Sequence, residues 1–222
     1  MTDSKLIITI DGPAGSGKTT IAKLLADKLK IAYLDTGAMY RSIALFFLDE
    51  NEIDEERLKN ILDNISYTLV FDGETYQLAL NNKILGSEIR SEKVGLLAST
   101  ISKIPIVRKY LTEFQRDIAK RHSIVAEGRD MGTVVFPYAK YKFYLTAKPE
   151  VRAKRRWLQL KELGVEADLN EILEDLKKRD EQDTTREIAP LKPAEDAHII
   201  DTSNLTLEKI LTEMISVINK ND

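Results

Sequence analysis

The stretch Leu6-Ile7-Ile8-Thr9-Ile10-Asp11-Gly12-Pro13-Ala14-Gly15-Ser16-Gly17-Lys18-Thr19-Thr20 decides the fold. It opens on a continuous isoleucine-rich run at 6–10, the pattern of a strand buried on both faces of a parallel sheet. Beyond it, Ile21, Leu24, Leu25 and Leu29 recur at helical spacing and predict a helix reaching Lys30. Between strand and helix, residues 12–19 spell G-x-x-x-x-G-K-T. In that setting the glycines let backbone N–H groups turn inward around phosphate oxygens, and the helix start adds the positive end of its dipole. Lys18 is then placed to reach the β and γ phosphates, and the Thr19 hydroxyl to ligate magnesium. A glycine-rich turn with a solvated lysine is the bland alternative, and the strand-loop-helix context argues against it.

Working outward, residues 31–34 offer a short second strand, broken by Asp35-Thr36-Gly37. A helix over 38–51 would set Met39, Ile43, Phe46 and Phe47 along one stripe. Strand, helix, strand, helix is the grammar of a doubly wound α/β fold. The rhythm changes after Asp54. Residues 67–71 and 76–80 are strand-like and flank Asp72-Gly73, a hairpin signal, while 83–85 can add a third short strand. That predicts a small antiparallel insert. Helical patterns follow, with Pro105 as a break or a helix start, until 123–126 returns as a core strand ending in Glu127-Gly128-Arg129-Asp130. Residues 140–145 form the next strand, Pro149 suits the first position of a helix, and 168–182 is a charged helix. A strand at 198–200 and an amphipathic helix over 205–219 close the pattern.

The 222 residues suit one large domain, or one domain carrying an insert. Lys and Arg total 33 against 36 Asp and Glu, a net charge of -3 that disfavours nucleic-acid binding through bulk positive charge. With no Cys and only His122 and His198, disulfides, thiol catalysis, structural zinc and serine triads fall away. The longest apolar runs, such as 43–48, fall far short of the ~18 residues of a membrane span, and the N-terminus lacks a basic segment followed by an apolar one. The expectation is a cytoplasmic protein with no membrane or nucleic-acid partner. Nothing demands a dimer, so a monomer is expected.

Nucleotide binding alone leaves ATPases, GTPase switches and kinases open. No D-x-x-G string occurs, which weighs against a GTPase switch. Instead Arg41, Arg108, Arg129, Arg179 and Arg186 stand in turn-like or element-end contexts. Moving a γ-phosphoryl group to a nucleoside monophosphate brings two polyanions together, and the acceptor oxygen is already ionised near neutral pH. Such a reaction needs no strong base; it needs cations on the acceptor phosphate and on the migrating group, and bidentate arginine suits both. Arg152, Lys154, Arg155 and Arg156 could be read as a nucleic-acid patch, but they share one predicted helix with Trp157 and Leu158. Arg152 and Arg155 are the members expected to turn toward ATP. Asp35, at a strand end, has three readings: a magnesium water, an orienter of Lys18 or Arg41, or the cap of the helix from Ala38.

Four stretches then resemble the bacterial cytidylate kinase family, within the nucleoside monophosphate kinases: GPAGSGKTT at 12–20, LDTGAMYR at 34–41, EGRDMGTVVFP at 127–137 and RDEQDTTREIAPLKPAEDA at 179–197. The resemblance implies transfer of the γ-phosphate of ATP to CMP or dCMP, with magnesium. It implies a P-loop kinase core across 1–222, an acceptor-binding insert at 63–98 and a helical lid at 155–188. By the same resemblance, Arg41, Arg129 and Arg186 act on the acceptor and transferred phosphates, completing with Lys18 of the phosphate loop the expected catalytic set. Ser99, Arg108 and Asp130 fall where the family reads cytosine, Arg179 and Asp183 where it holds the sugar and adjoining phosphate, and Asp35 and Thr36 beside them. Base chemistry agrees: cytosine offers a 4-amino donor with N3 and O2 acceptors, which Asp130 and Arg108 can meet, whereas uracil sets a carbonyl against the carboxylate. The alternatives are a UMP-preferring kinase of the same fold and a nucleotide-hydrolysing switch.

Overall fold

In the computed structural model, which describes residues 5–50, 52–71, 73, 75–162 and 164–220, strand β1 (Ile7–Asp11) runs through the middle of a sheet with Ile8 and Ile10 wholly buried. Its neighbours are β2 (Ala32–Asp35), β6 (Ile124–Gly128), β7 (Tyr141–Thr146) and β8 (His198–Asp201), in the all-parallel order β2-β6-β1-β7-β8. The register sets Asp35 opposite Glu127, and Asp11 opposite both Gly128 and Tyr144. The carboxyl ends of three strands therefore bring Asp11, Asp35 and Glu127 to one edge, where open α/β sheets bind their ligands.

Helices cover both faces. On one, α1 (Lys18–Leu29) and α8 (Leu207–Lys220) bury Ile21, Leu25, Ile210 and Met214 against Ile8, Ile10 and Phe143. On the other, α2 (Thr36–Leu45), α4 (Glu92–Ile101) and α5 (Pro105–Arg121) pack Met39, Ile43, Val94 and Leu111 against Leu34, Ile124 and Ala126. Each such aliphatic side chain is worth roughly 1.5–3 kcal/mol on burial. Pro105 takes the first position of α5, where its missing N–H costs nothing.

Helix α2 stops at Leu45 rather than continuing to 51, as its spacing had suggested. The Phe46 and Phe47 N–H groups turn back to Ile43 and Ala44, three residues behind, and the Phe46 carbonyl is taken by Arg57 of α3 (Glu55–Asn64) at 2.8 Å. Strands β3 (Tyr67–Phe71), β4 (Tyr76–Leu80) and β5 (Lys83–Ile84) form the expected antiparallel sheet. Asp72 of the hairpin turn and Asn51 lie outside the described residues. The insert is tied to the main core through Tyr67, whose hydroxyl meets Ser42 Oγ at 2.7 Å and the Met39 carbonyl at 3.1 Å. Helices α6 (Pro149–Glu162) and α7 (Leu169–Thr185) pack on each other, the latter capped by Asp168. No helix among the described residues is long and apolar enough to cross a membrane.

Candidate active site

Residues 12–17 leave β1 and close over the start of α1. Gly12 is at φ +146°, and a Cβ there would stand 2.0 Å from the Leu145 carbonyl oxygen, so no other residue fits against β7. Gly17, at φ +92°, caps α1 without a side chain and leaves the first helical N–H groups free for an anion. Lys18 is buried, its Nζ donating to the Pro13 carbonyl at 2.7 Å, so the ammonium sits inside the loop it is expected to serve. Burial, with Arg129 nearby, pushes its pKa well below the usual lysine range. The Thr19 hydroxyl donates to Glu127 Oε2 at 3.0 Å, and the other Glu127 oxygen accepts from the Tyr33 hydroxyl. Burial, reinforced by Asp35, raises the Glu127 pKa. Thr20 is exposed on the outside of the helix.

Facing the loop lies a second cluster. Asp130 is buried, pairs with Arg108 and stands 3.6 Å from Arg186 Nη2. That nitrogen is buried without a hydrogen-bond partner among the described residues, a donor left unmatched. Burial outweighs both arginines and raises the Asp130 pKa. Arg129 Nε donates to Asp183 Oδ2 at 2.8 Å, joining the end of β6 to α7. Burial would raise the Asp183 pKa, but Arg129, Arg179 and Arg186 hold it below the usual carboxylate range. Arg186 also donates to Ala189 O at 2.7 Å and Ser102 Oγ at 3.4 Å, while Arg108 donates to Ser102 O at 3.1 Å. Ser99 is buried on α4, its carbonyl accepting from Ser102 Oγ.

The remaining expected residues sit around this pair of clusters. Thr36 Oγ1 donates to the Glu127 carbonyl at 2.6 Å. Arg41 reaches across to the insert side, donating to Ile89 O at 3.0 Å and lying against Gly95 of α4. Asp35 caps α2 through the Ala38 N–H at 2.9 Å and pairs with Arg90 at 2.9 Å, so of its three readings the cap is the one formed in this structure, with Arg90 as a further partner. Arg152 donates to Ala14 O at 3.0 Å and pairs with Asp180 at 2.6 Å, and Arg155 holds Thr202 through its hydroxyl at 3.0 Å and its carbonyl at 2.7 Å. Both thus lie against the flank of the phosphate loop. Among the described residues no group of three His, Cys, Asp or Glu could hold a metal ion unaided. The Thr19 hydroxyl and Glu127 carboxylate do form a hard oxygen pair of the kind that completes a magnesium shell with phosphates and water.

A family model described as cytidylate kinase matches residues 8–220 of this sequence. The chain belongs to the cytidylate kinase family. Cytidylate kinases from Thermosipho melanesiensis and Maridesulfovibrio salexigens are each 48% identical to it, over 213 and 215 residues, covering 96% of both chains in each case. A solved structure of an uncharacterized protein from Eubacterium ventriosum superposes with a TM-score of 0.56 at 15% identity, over 97% of this chain and 99% of that one, and shares the fold.

Around this site, sequence reasoning missed Arg90, Tyr33, Ser102 and Asp180. Each sits in ordinary-looking helix or strand sequence and is brought in by a partner at least 28 residues away. Tyr33 alone carried a signal: a hydroxyl-bearing ring in an otherwise apolar buried strand calls for a hydrogen-bond partner.

Proposed function

We propose that this chain transfers the γ-phosphoryl group of ATP to CMP or dCMP by in-line displacement. The observation that carries the reading is the buried group Arg108, Asp130, Arg129, Asp183 and Arg186 opposite the phosphate loop, with Arg186 Nη2 unmatched. ATP lies with its phosphates in the loop 12–20, next to Arg152 and Arg155. Thr19 and Glu127 would hold the magnesium ion accompanying ATP, which supplies charge neutralisation between the β and γ phosphates. A triphosphate entering the loop gives Lys18 the countercharge it lacks, raises its pKa back toward the usual lysine range and draws Nζ from the Pro13 carbonyl to the phosphates. Arg41, Arg129 and Arg186 stabilise the acceptor phosphate and the equatorial oxygens of the migrating group.

Cytosine is read by Asp130 accepting from the 4-amino group and Arg108 donating to the ring acceptors, with Ser99 beside them and Asp35 and Thr36 on the strand-end side. Arg179 and Asp183 hold the sugar and adjoining phosphate. The insert, 63–98, and the lid, 155–188, close over the two substrates and exclude water, which suppresses ATP hydrolysis. The enzyme works as a cytoplasmic monomer on small-molecule substrates. A coupled assay with CMP, dCMP, UMP and AMP tests the reading: CMP and dCMP are expected to turn over far faster than the others. UMP turning over as well as CMP would remove the base-reading argument, and ATP hydrolysis unaffected by CMP would favour a switch.

A further inference from the structure

Asp11 has no part in the machinery above, yet it lies between the two loops that do the work. Its side chain is buried, with 4% of the residue exposed. One carboxylate oxygen accepts from the Met131 N–H at 2.9 Å and the other from the Gly132 N–H at 2.8 Å. These bonds fall where the sheet stops helping. The ladder between β1 and β6 ends with Asp11 opposite Gly128, so Arg129 and Asp130 lie just past the last paired residue. The turn that follows closes on itself, through Val134 N–H to Asp130 O at 2.9 Å and Phe136 N–H to Met131 O at 2.7 Å. It also sits directly on β1, since a Cβ at Gly132 would stand 3.0 Å from Thr9 Oγ1. On its other side Asp11 is bonded to Gly12, the residue wedged against Leu145 at the mouth of the phosphate loop.

We propose that Asp11 is a positioning residue for acceptor specificity: its ionised carboxylate pins the turn after β6 so that Asp130 meets the cytosine edge in line with the phosphate loop. This rests on the reading of Asp130 as the group that recognises cytosine. Two N–H donors need two acceptor oxygens, and only a carboxylate supplies both; an amide of the same shape turns an NH2 group onto one of them. The charged and titratable groups around Asp11 are Lys18 of α1, Asp130 of the turn and Tyr144 of β7. Burial, outweighing the two N–H bonds, lifts the Asp11 pKa to about 7, so the pin loosens as pH falls through neutrality.

The experiment is steady-state kinetics of wild type, Asp11→Asn and Asp130→Asn with CMP and UMP at about pH 8, with wild type and Asp11→Asn repeated at about pH 6. Losing one hydrogen bond to a charged group predicts a KM for CMP about tenfold higher in Asp11→Asn, with KM for ATP within about twofold and a reduced preference for CMP over UMP. Acidification should raise the KM for CMP more in wild type than in Asp11→Asn; ionisation of the CMP phosphate is common to both. An unchanged KM for CMP, a KM for ATP rising in step with it, or equal pH responses would overturn the proposal. The Asp130→Asn arm separates the two ideas. If it keeps full selectivity, the base-reading role of Asp130 fails and this inference with it; if it loses selectivity while Asp11→Asn keeps it, this inference alone fails.

Discussion

Replacing Asp11 by asparagine should have an effect on stability that grows with pH. The Asp11 carboxyl ionises near 3.8 in an unfolded chain and near 7 in the fold, chiefly because burial disfavours the charge. Below the lower value both states are protonated and nothing is lost. Between the two, the folded protein keeps a proton that the unfolded chain has released, so stability falls as pH rises, by about 1.4 kcal/mol per pH unit. Over the whole interval wild type loses about 4 kcal/mol, and above pH 7 the full loss persists. Asparagine has no such term; it leaves one of the two turn N–H groups facing a donor, as the protonated carboxyl of the wild type also does at low pH. The variant should therefore match wild type to within about 1 kcal/mol near pH 4, where both side chains offer the turn one good acceptor, and be more stable by about 4 kcal/mol near pH 8. Urea unfolding followed by circular dichroism at steps between these limits measures it, with equal slopes in the two proteins confirming a like-for-like comparison. A stability difference that stays flat across the range would refute the reasoning.

Lys18→Ala should lower kcat by about a thousandfold or more while leaving the melting temperature unchanged or raised, because a buried ammonium is removed from a site that already disfavours its charge; retained kcat in the coupled assay would contradict its role. Glu127→Gln should shift the magnesium concentration for half-maximal activity upward by about tenfold, read from a magnesium titration at saturating ATP and CMP. Asp183→Asn breaks the bond from Arg129 to α7, and buried pairs of this kind cost about 3 kcal/mol when one partner goes, so amides of α7 should exchange hydrogen faster. The Asp183 pKa is depressed in the fold, so the contribution is present above the unfolded value of 3.8 and is lost as pH falls through the lower folded value; the variant's exchange pattern should lack that acid-side step.

The phosphate loop was legible because its chemistry is local: the glycines, Lys18 and Thr19 act through backbone geometry set within a few residues of themselves. Strands β1, β6 and β7 were legible for a related reason, since a strand buried on both faces reads as a mostly apolar run, with Thr9 and Lys142 as buried polar exceptions in β1 and β7. The end of α2 was not, because the hydrophobic stripe through Phe46 and Phe47 continues past the point where Arg57, from the next helix, takes the Phe46 carbonyl. Asp35 marks the same boundary within the site. Its capping of Ala38 can be read from spacing, but its pairing with Arg90 depends on how the insert folds back onto the sheet. Arg152 and Arg155, expected to turn toward ATP, touch the loop through the carbonyls of Ala14 and Gly15; those contacts follow from α6 packing, which periodicity does not encode.

The buried charges divide by whether a substrate can relieve them. Lys18 and Arg186 are held low by burial, and Glu127 and Asp130 are held high by it. Each faces the place where, on the proposed mechanism, a ligand arrives with the matching partner: phosphates for the cations, magnesium for Glu127, an amino group for Asp130. Binding should therefore return free energy that folding gave up, and a site strained in this way gains affinity from its own empty state. Arg129 and Asp183 are the contrast, matched to each other across β6 and α7 before any substrate enters. Asp11 fits neither group. Its oxygens are already occupied by two backbone N–H groups, so no ligand atom needs to reach it. A carboxylate that costs stability at neutral pH and gains nothing from substrate is retained for what its two bonds hold in place, the turn carrying Arg129 and Asp130.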